Sequence, residues 1–193
     1  MKRYLAIFTA ALTLAIGQHA SAITMTMSAT PADLSALTVG DSFQIDVLLG
    51  DLGGDEVASL GGSIMFPSAQ LGTPTGEVAG VIVPDASDLI LTPLAGLMDG
   101  QFFAFTGGNI TAEGIFYSFT LTAQAPGSGV IEFDAQSLFA ELVQQGEIFD
   151  ISTNALTFTV QERTGGAAVP EPATAGLGLM GLMGLALRRR QTR

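Results

Sequence analysis

The chain has 193 residues, with seven Lys and Arg against eighteen Asp and Glu, and it contains no Cys and no Trp. Without cysteine it has no disulfide framework, no thiol nucleophile and no thiolate metal site. Its single histidine, His19, lies near the N terminus, so neither a Ser-His catalytic pair nor a His-ligated metal site is expected in the body of the chain.

The N-terminal segment has the three parts of a secretory signal peptide. Lys2 and Arg3 precede an apolar stretch at residues 4–16, and the small residues of Ala20-Ser21-Ala22 follow it. Because a bilayer core is about 30 Å thick, the apolar stretch is too short to span it. We therefore expect a signal peptidase to remove residues 1–22 by cleaving after Ala22, so that the exported chain starts at Ile23.

Removal of the terminal segments leaves a very acidic body. Between residues 23 and 172 lie all eighteen acidic residues and one basic residue, Arg163, which gives this part of the chain a net charge of −17. Such a body is repelled by nucleic acid and by anionic membrane surfaces, so neither is an expected partner. Divalent cations, above all Ca²⁺, are its natural counterions.

The body has the alternating pattern of β-strands. Every second residue is apolar in SFQIDVLLG (42–50), and a similar period recurs at 129–135 and 155–161. In GIFYSFTLTAQ (114–124) the pattern places Ile115, Tyr117, Phe119 and Leu121 on one face, and Phe116 on the other face with Ser118, Thr120 and Thr122. Turns rich in Gly, Pro and Asn separate these runs. The sequence therefore predicts an all-β fold, an antiparallel β-sandwich of about 8–9 strands.

An acidic loop follows the first of these strands. The segment DVLLGDLGGDE contains Asp46, Asp51, Asp55 and Glu56, and its glycines allow backbone carbonyls to turn inward. Ca²⁺ takes six to eight oxygen ligands, so these four side chains are candidate calcium ligands. The spacing is not that of an EF-hand. The alternative is a solvated acidic loop that keeps the protein soluble, with no cofactor at all.

The order of the segments resembles the cohesin domain and its carbohydrate-binding-module relatives. The segments are LTVGDSFQIDVLLGDL, VASLGGSIMFPSAQL, AEGIFYSFTLTAQAPGSGVIEF and ALTFTV, in which a V-G-D turn leads into an alternating strand and a glycine-containing strand ends in a turn. The resemblance covers residues 23–162 and implies a cohesin-like jelly roll that binds a protein or polysaccharide partner. Because Trp is absent and Tyr117 is the one tyrosine of the body, Trp and Tyr side chains for stacking on sugars are scarce.

The C-terminal segment, residues 169–193, resembles the PEP-CTERM sorting signal of Gram-negative bacteria. Val169-Pro170-Glu171-Pro172 precede an apolar stretch at 173–187, predicted as a hydrophobic helix, and then Arg188-Arg189-Arg190, which are expected to stop transfer across the membrane. The resemblance implies that an exosortase-type transpeptidase recognises the P-E-P motif and removes the tail. Residues 163–168 are then a linker. The alternative is a permanent anchor, although 15 residues of helix reach only about 22 Å.

Two function classes follow. The first is an exported, non-catalytic binding or structural module that is sorted to the cell surface, outer membrane or extracellular matrix after transient membrane anchoring. The second is a glycoside hydrolase that uses carboxylates alone, since such cleavage needs two positioned acids. Glu132 and Asp134 share one strand face, where a solvated polar face is the expected arrangement. We therefore expect the first class and no catalysis.

Overall fold

The computed structural model describes residues 23–148 and 151–163. They form thirteen β-strands and one 3₁₀ turn at Ala86–Asp88. Nine of these strands have five residues or more, in agreement with the expected 8–9. The strands are β1 (Thr24–Thr30), β2 (Leu37–Thr38), β3 (Ser42–Gly50), β4 (Val57–Met65), β5 (Thr75–Ala79), β6 (Leu89–Leu94), β7 (Leu97–Phe103), β8 (Gly114–Thr122), β9 (Gly127–Phe133), β10 (Phe139–Leu142), β11 (Gly146–Ile148), β12 (Ser152–Thr153) and β13 (Ala155–Gln161).

The strands form two sheets that pack as a sandwich, as predicted. The first sheet has the order β12-β1-β3-β8-β5. In the second sheet β4 is central. On one side of β4 lies β7, followed by β6. On its other side, β4 pairs with β10 near its N-terminal end and with β9 near its C-terminal end. The long pairs are antiparallel, whereas the two short strands β12 and β2 pair in parallel with β1 and β13.

The alternation predicted for the strands produces the core between the sheets. The alternate apolar residues of β3, from Phe43 to Leu49, are buried, as are Ile131 and Phe133 of β9 and Phe158 and Val160 of β13. The two sheets approach closely where Tyr117 of β8 faces Gly100 of β7: a Cβ atom at residue 100 would lie 2.6 Å from the Tyr117 ring. A glycine at this position therefore makes room for the largest side chain of the core.

The prediction that Phe116 lies on the polar face is wrong, because the pairing of β3 with β8 contains a bulge. Val47 pairs with Tyr117, but the next residue, Leu48, pairs with Ile115, so β8 has one extra residue at this point. A bulge of this kind rotates the side chains beyond it. As a result Phe116 is buried beside Tyr117, with ring centroids 5.2 Å apart, and Ile115 is partly exposed.

Ile23, the predicted first residue of the exported chain, belongs to the core. Ile23 is buried, and its carbonyl accepts a hydrogen bond from the backbone N–H of Ser152 at 3.0 Å. Within the described residues there is no helix long and apolar enough to cross a membrane. The predicted hydrophobic helix at 173–187 lies outside the described residues.

Candidate functional site

The outer faces of the two sheets differ in chemistry. On the first sheet, the outward side chains of β1, β3 and β8 are mostly Thr, Ser and Gln. Some of them form hydrogen bonds with one another: the hydroxyls of Ser42 and Thr122 lie 2.8 Å apart, and the Ser118 hydroxyl donates to Asp46 at 2.6 Å. A face of this kind is well solvated and offers little apolar area to a partner.

The outer face of the second sheet carries apolar side chains instead. Strand register places three of them side by side, because Leu97 pairs with both Leu94 and Met65. Ile90 and Phe103 lie toward the other end of the same strands. Several are well exposed, with Ile90 at 54% and Leu94 at 50%. We call this surface the apolar face, and it comprises Met65, Ile90, Leu94, Leu97, Phe103 and Val130.

Three phenylalanine rings extend the apolar face at one end. Phe103 lies between Phe105 and Phe139, with ring centroids 5.8 Å and 6.2 Å away. Gly61 permits this arrangement, since a Cβ atom at this position would lie 2.6 Å from the Phe139 ring. Although it stacks on Phe103, Phe105 is 79% exposed, and so large an exposed aromatic side chain is unusual for a protein surface that binds nothing. These rings supply aromatic surface that the counts of Trp and Tyr did not predict.

A polar group lies in the middle of the same face. The carboxylate of Asp99 on β7 accepts hydrogen bonds from the Ser63 hydroxyl at 3.0 Å and from the Gln101 amide at 3.0 Å. Both donors lie on the outer face of the sheet, so they fix the direction in which the carboxylate points. Thr92, which pairs with Asp99 on the other side, is polar as well, so the middle of this face is a polar strip between apolar ends.

An open cavity of about 400 Å³ lies at the other end of the face. The turn between β6 and β7 closes one side of it, where Gly96 has a φ of +81° and accepts a hydrogen bond from Phe66 at 3.1 Å. A side chain at residue 96 would have to adopt a strained backbone and would lie 3.1 Å from the Phe66 carbonyl oxygen. The cavity is lined by Met65, Phe66, Pro67, Gly96, Val130 and Glu132.

Two strands of this face depart from simple alternation in the sequence. LILTPL and LMDGQFF, the strands β6 and β7, have apolar residues at both odd and even positions. A strand with one solvated face has apolar residues at alternate positions alone, so apolar residues on both faces indicate a second surface to be covered.

The structure does not bring the four candidate calcium ligands together into one site. Asp46 lies on the outer face of the first sheet, where Ser118 and Gln44 donate to it. Asp51 is exposed with a φ of 59°, and Glu56 accepts a hydrogen bond from Asn109 at 2.8 Å. No group of three or more acidic, His or Cys side chains within residues 23–148 and 151–163 is placed to hold a metal ion.

Asp55 is the most buried of these four residues, with 6% of its surface exposed. One carboxylate oxygen accepts hydrogen bonds from the N–H groups of Glu56 and Gln144, and the other has no partner within the described residues. The carboxylate therefore joins the β3–β4 loop to the turn after β10. Calcium binding by this loop stays a prediction, and it would require the other three side chains to move toward Asp55.

The residues of the predicted processing signals lie outside the described part of the chain. They are Ala20 and Ala22 at the signal-peptide end, and Val169, Pro170, Glu171, Pro172, Arg188, Arg189 and Arg190 at the other end. For the second group there is independent support from sequence comparison. Residues 168–190 match the family model described as the PEP-CTERM protein-sorting motif.

Comparison with solved structures finds cohesin modules. The third cohesin of ScaC from Acetivibrio cellulolyticus, solved in complex with the ScaB dockerin, is 13% identical with a TM-score of 0.61, over 72% of this chain and 98% of that one. The OlpA cohesin from Clostridium thermocellum, in complex with a dockerin, is 16% identical with a TM-score of 0.60, over 72% and 99%.

A third similar structure is the cohesin module of a family 33 glycoside hydrolase from Clostridium perfringens, which is 12% identical with a TM-score of 0.53 over 72% of this chain and 98% of the module. A search of curated proteins returned no match. At identities this low the likeness establishes the fold and leaves the function to be argued from the surface. The chain therefore carries a β-sandwich of the cohesin fold, followed by a PEP-CTERM protein-sorting motif at residues 168–190.

Proposed function

We propose that the protein is an exported, non-catalytic module that binds a protein partner through the apolar face. The observation that carries this proposal is the difference between the two sheets: one outer face carries mostly hydroxyl side chains, and the other exposes Leu94, Met65 and Val130 near one end and Ile90 toward the other. Clusters of exposed apolar side chains rimmed by polar residues mark interaction sites. The cohesins of similar fold were solved in complex with dockerins, so the fold is compatible with this use.

The sorting motif supports the cellular side of the proposal. A PEP-CTERM motif at 168–190 implies processing by an exosortase-type transpeptidase, after signal peptidase has acted at the other end. We propose that the chain passes through the inner membrane of a Gram-negative bacterium and remains at the cell surface or in the extracellular matrix. Its partner is then another component of that matrix.

Variants of the apolar face test the proposal. Ile90→Ser with Leu94→Ser replaces two exposed side chains of β6, and Val78→Ser is the matched control because Val78 is 61% exposed on the other sheet. The exported, processed protein and each variant are used to capture proteins from the producing cells' own matrix. We expect the double variant to lose the captured protein while the control retains it. Equal capture by all three would contradict the proposed face.

The same preparation tests the alternative of a carboxylate-only hydrolase. Asp99 and Glu132 both lie on the apolar face, so a polysaccharide chain lying there would meet two acids. We expect no release of reducing ends from matrix polysaccharides. Turnover that Asp99→Asn or Glu132→Gln abolishes would replace the binding function with catalysis.

A further inference from the structure

The cavity at the end of the apolar face combines apolar walls with one carboxylate. Met65 and Val130 form its exposed walls, with 41% and 40% of their surfaces accessible, and Phe66 lies deeper with 6% accessible. Glu132 is directly opposite Met65 in the pairing of β4 with β9, on the same outward face. The cavity thus has room for an unbranched aliphatic group, and the negative charge of Glu132 lies beside that group.

The carboxylate of Glu132 is not used by the fold. Within residues 23–148 and 151–163 it has no hydrogen-bond or ion-pair partner, in contrast to Asp99, which Ser63 and Gln101 hold. Its neighbour on β13 is Ala155, a small exposed residue, so that side of the carboxylate is open. A cation from outside the molecule can therefore reach it.

The other charged residues near the cavity also favour the binding of a cation over that of an anion. Asp99 lies on the same outward face of the next strand but one, and Arg163 is the one basic residue among the described residues. Uniform negative charge lowers the electrostatic free energy of an approaching cation and raises that of an anion. The stems of Lys and Arg pack on apolar surface while the charged head points outward.

We propose that this cavity is a subsite for a lysine or arginine side chain of the protein partner. The aliphatic stem lies between Met65 and Val130, and the ammonium or guanidinium group pairs with Glu132. This inference rests on the proposed function, because the side chain belongs to the partner that binds the apolar face. It adds that the partner presents a basic residue to the β4–β9 end of that face.

Small probes test the subsite without the partner. Nα-acetyl-lysine amide is titrated into the isotope-labelled exported chain and followed by amide chemical shifts, in parallel with Nα-acetyl-norleucine amide, which has the same four-carbon chain without the ammonium. We expect shifts at residues 65, 66, 96 and 130–132, and tighter binding of the lysine probe by about two- to fivefold at low salt. Equal affinity for the two probes, or shifts centred elsewhere, would overturn the proposal.

Glu132→Gln and Glu162→Gln provide matched variants, because each removes one negative charge from an exposed residue. We expect the first to abolish the preference for lysine and the second to retain it, with unchanged melting curves for both. Capture of the partner separates this inference from the proposed function. One outcome would reject the subsite but support the apolar face as the binding surface. In that outcome the Ile90→Ser, Leu94→Ser variant no longer captures the partner, whereas Glu132→Gln captures it fully at all salt concentrations.

Discussion

At the scale of single residues, the hydroxyl of Tyr117 is the polar group that the core satisfies least well. Tyr117 is fully buried, and its hydroxyl has no hydrogen-bond partner among the described residues. Burial raises the pKa of the phenol well above its ordinary value, and the negative charge of Asp99 raises it further. Both effects favour the neutral hydroxyl over the phenolate.

Two substitutions of Tyr117 distinguish the contribution of its ring to stability from that of its hydroxyl. Tyr117→Phe keeps the ring against Gly100 and removes the unpaired group, so we expect the free energy of unfolding to stay constant or rise by about 1 kcal/mol. Tyr117→Ala should lower it by about 3–5 kcal/mol. Urea denaturation measures both. A loss of more than about 1 kcal/mol in Tyr117→Phe would show that the hydroxyl has a partner.

Gly80 tests a second close approach, at the end of β5. A Cβ atom at this position would lie 1.8 Å from the carbonyl oxygen of Ile115, whose backbone cannot move without disturbing β8. We expect Gly80→Ala to destabilise the protein by about 1–3 kcal/mol or more in thermal unfolding. Gly72→Ala is the control, since its Cβ would meet the flexible amide end of Gln124 and should cost much less. Equal melting temperatures for the two variants would contradict the steric argument.

At the scale of elements, Asp88 ties the 3₁₀ turn before β6 to the loop after β7. Its carboxylate accepts hydrogen bonds from the N–H of Gly107 at 2.7 Å, from the N–H of Thr106 at 3.0 Å and from the Thr106 hydroxyl at 2.9 Å. The bond from Gly107 lowers the pKa of Asp88 most, and those from Thr106 lower it further. These bonds hold the two ends of the β6–β7 hairpin together, and so position part of the apolar face.

The lowered pKa gives this contact a definite pH dependence. The stabilisation is fully present above the unfolded-state pKa of an Asp, about 3.9, and is lost as pH falls through the lower folded-state pKa. We expect Asp88→Asn to lower the melting temperature at pH 7, and the difference from the unmodified protein to shrink as the pH falls below about 4. Glu162→Gln serves as the charge control. A difference that is constant from pH 7 to pH 2.5 would contradict this role of the carboxylate.

How far the sequence predicts these elements depends on how regularly they alternate. β13 alternates cleanly, and β3 and β9 do so apart from one outward apolar residue each, Leu48 and Val130; the predicted inward residues of all three strands face the core. β6 and β7 do not, because their apolar residues serve two surfaces, the core and the apolar face. Phe116 was misplaced because a bulge depends on the partner strand, which local periodicity does not record.

The cavity and the phenylalanine cluster also lay beyond prediction from the sequence. Glu132 was correctly placed on an outward face, but its position opposite Met65 and near the turn at Gly96 follows from the pairing of strands far apart in the chain. The packing of Phe103 against Phe139 likewise depends on Gly61 of the strand between them. Pairings of this kind are fixed by the tertiary structure, so patterns within one segment do not reveal them.

At the scale of the whole molecule, the terminal signals predict how the exported chain is processed. The A-x-A site predicts a mature N terminus at Ile23, and the PEP-CTERM motif predicts loss of the arginine-rich tail. Intact-mass spectrometry of the exported protein measures both ends. We expect a mass without residues 1–22 and without 188–193, and Pro170-Glu171-Pro172→Ala-Ala-Ala should retain the tail in the membrane. A native mass that includes Arg188–Arg193 would favour a permanent anchor.

The central claim is that one outer face of the sandwich binds a protein, and site-specific photocrosslinking tests it most directly. A benzophenone amino acid is placed at Leu94 on the apolar face or at Val78 on the opposite sheet, positions of similar exposure at 50% and 61%. After irradiation of cells that export the full-length chain, we expect a crosslinked protein with the probe at Leu94 and none with the probe at Val78. Crosslinking from Val78 alone, or equal crosslinking from both positions, would contradict the assignment of the binding face.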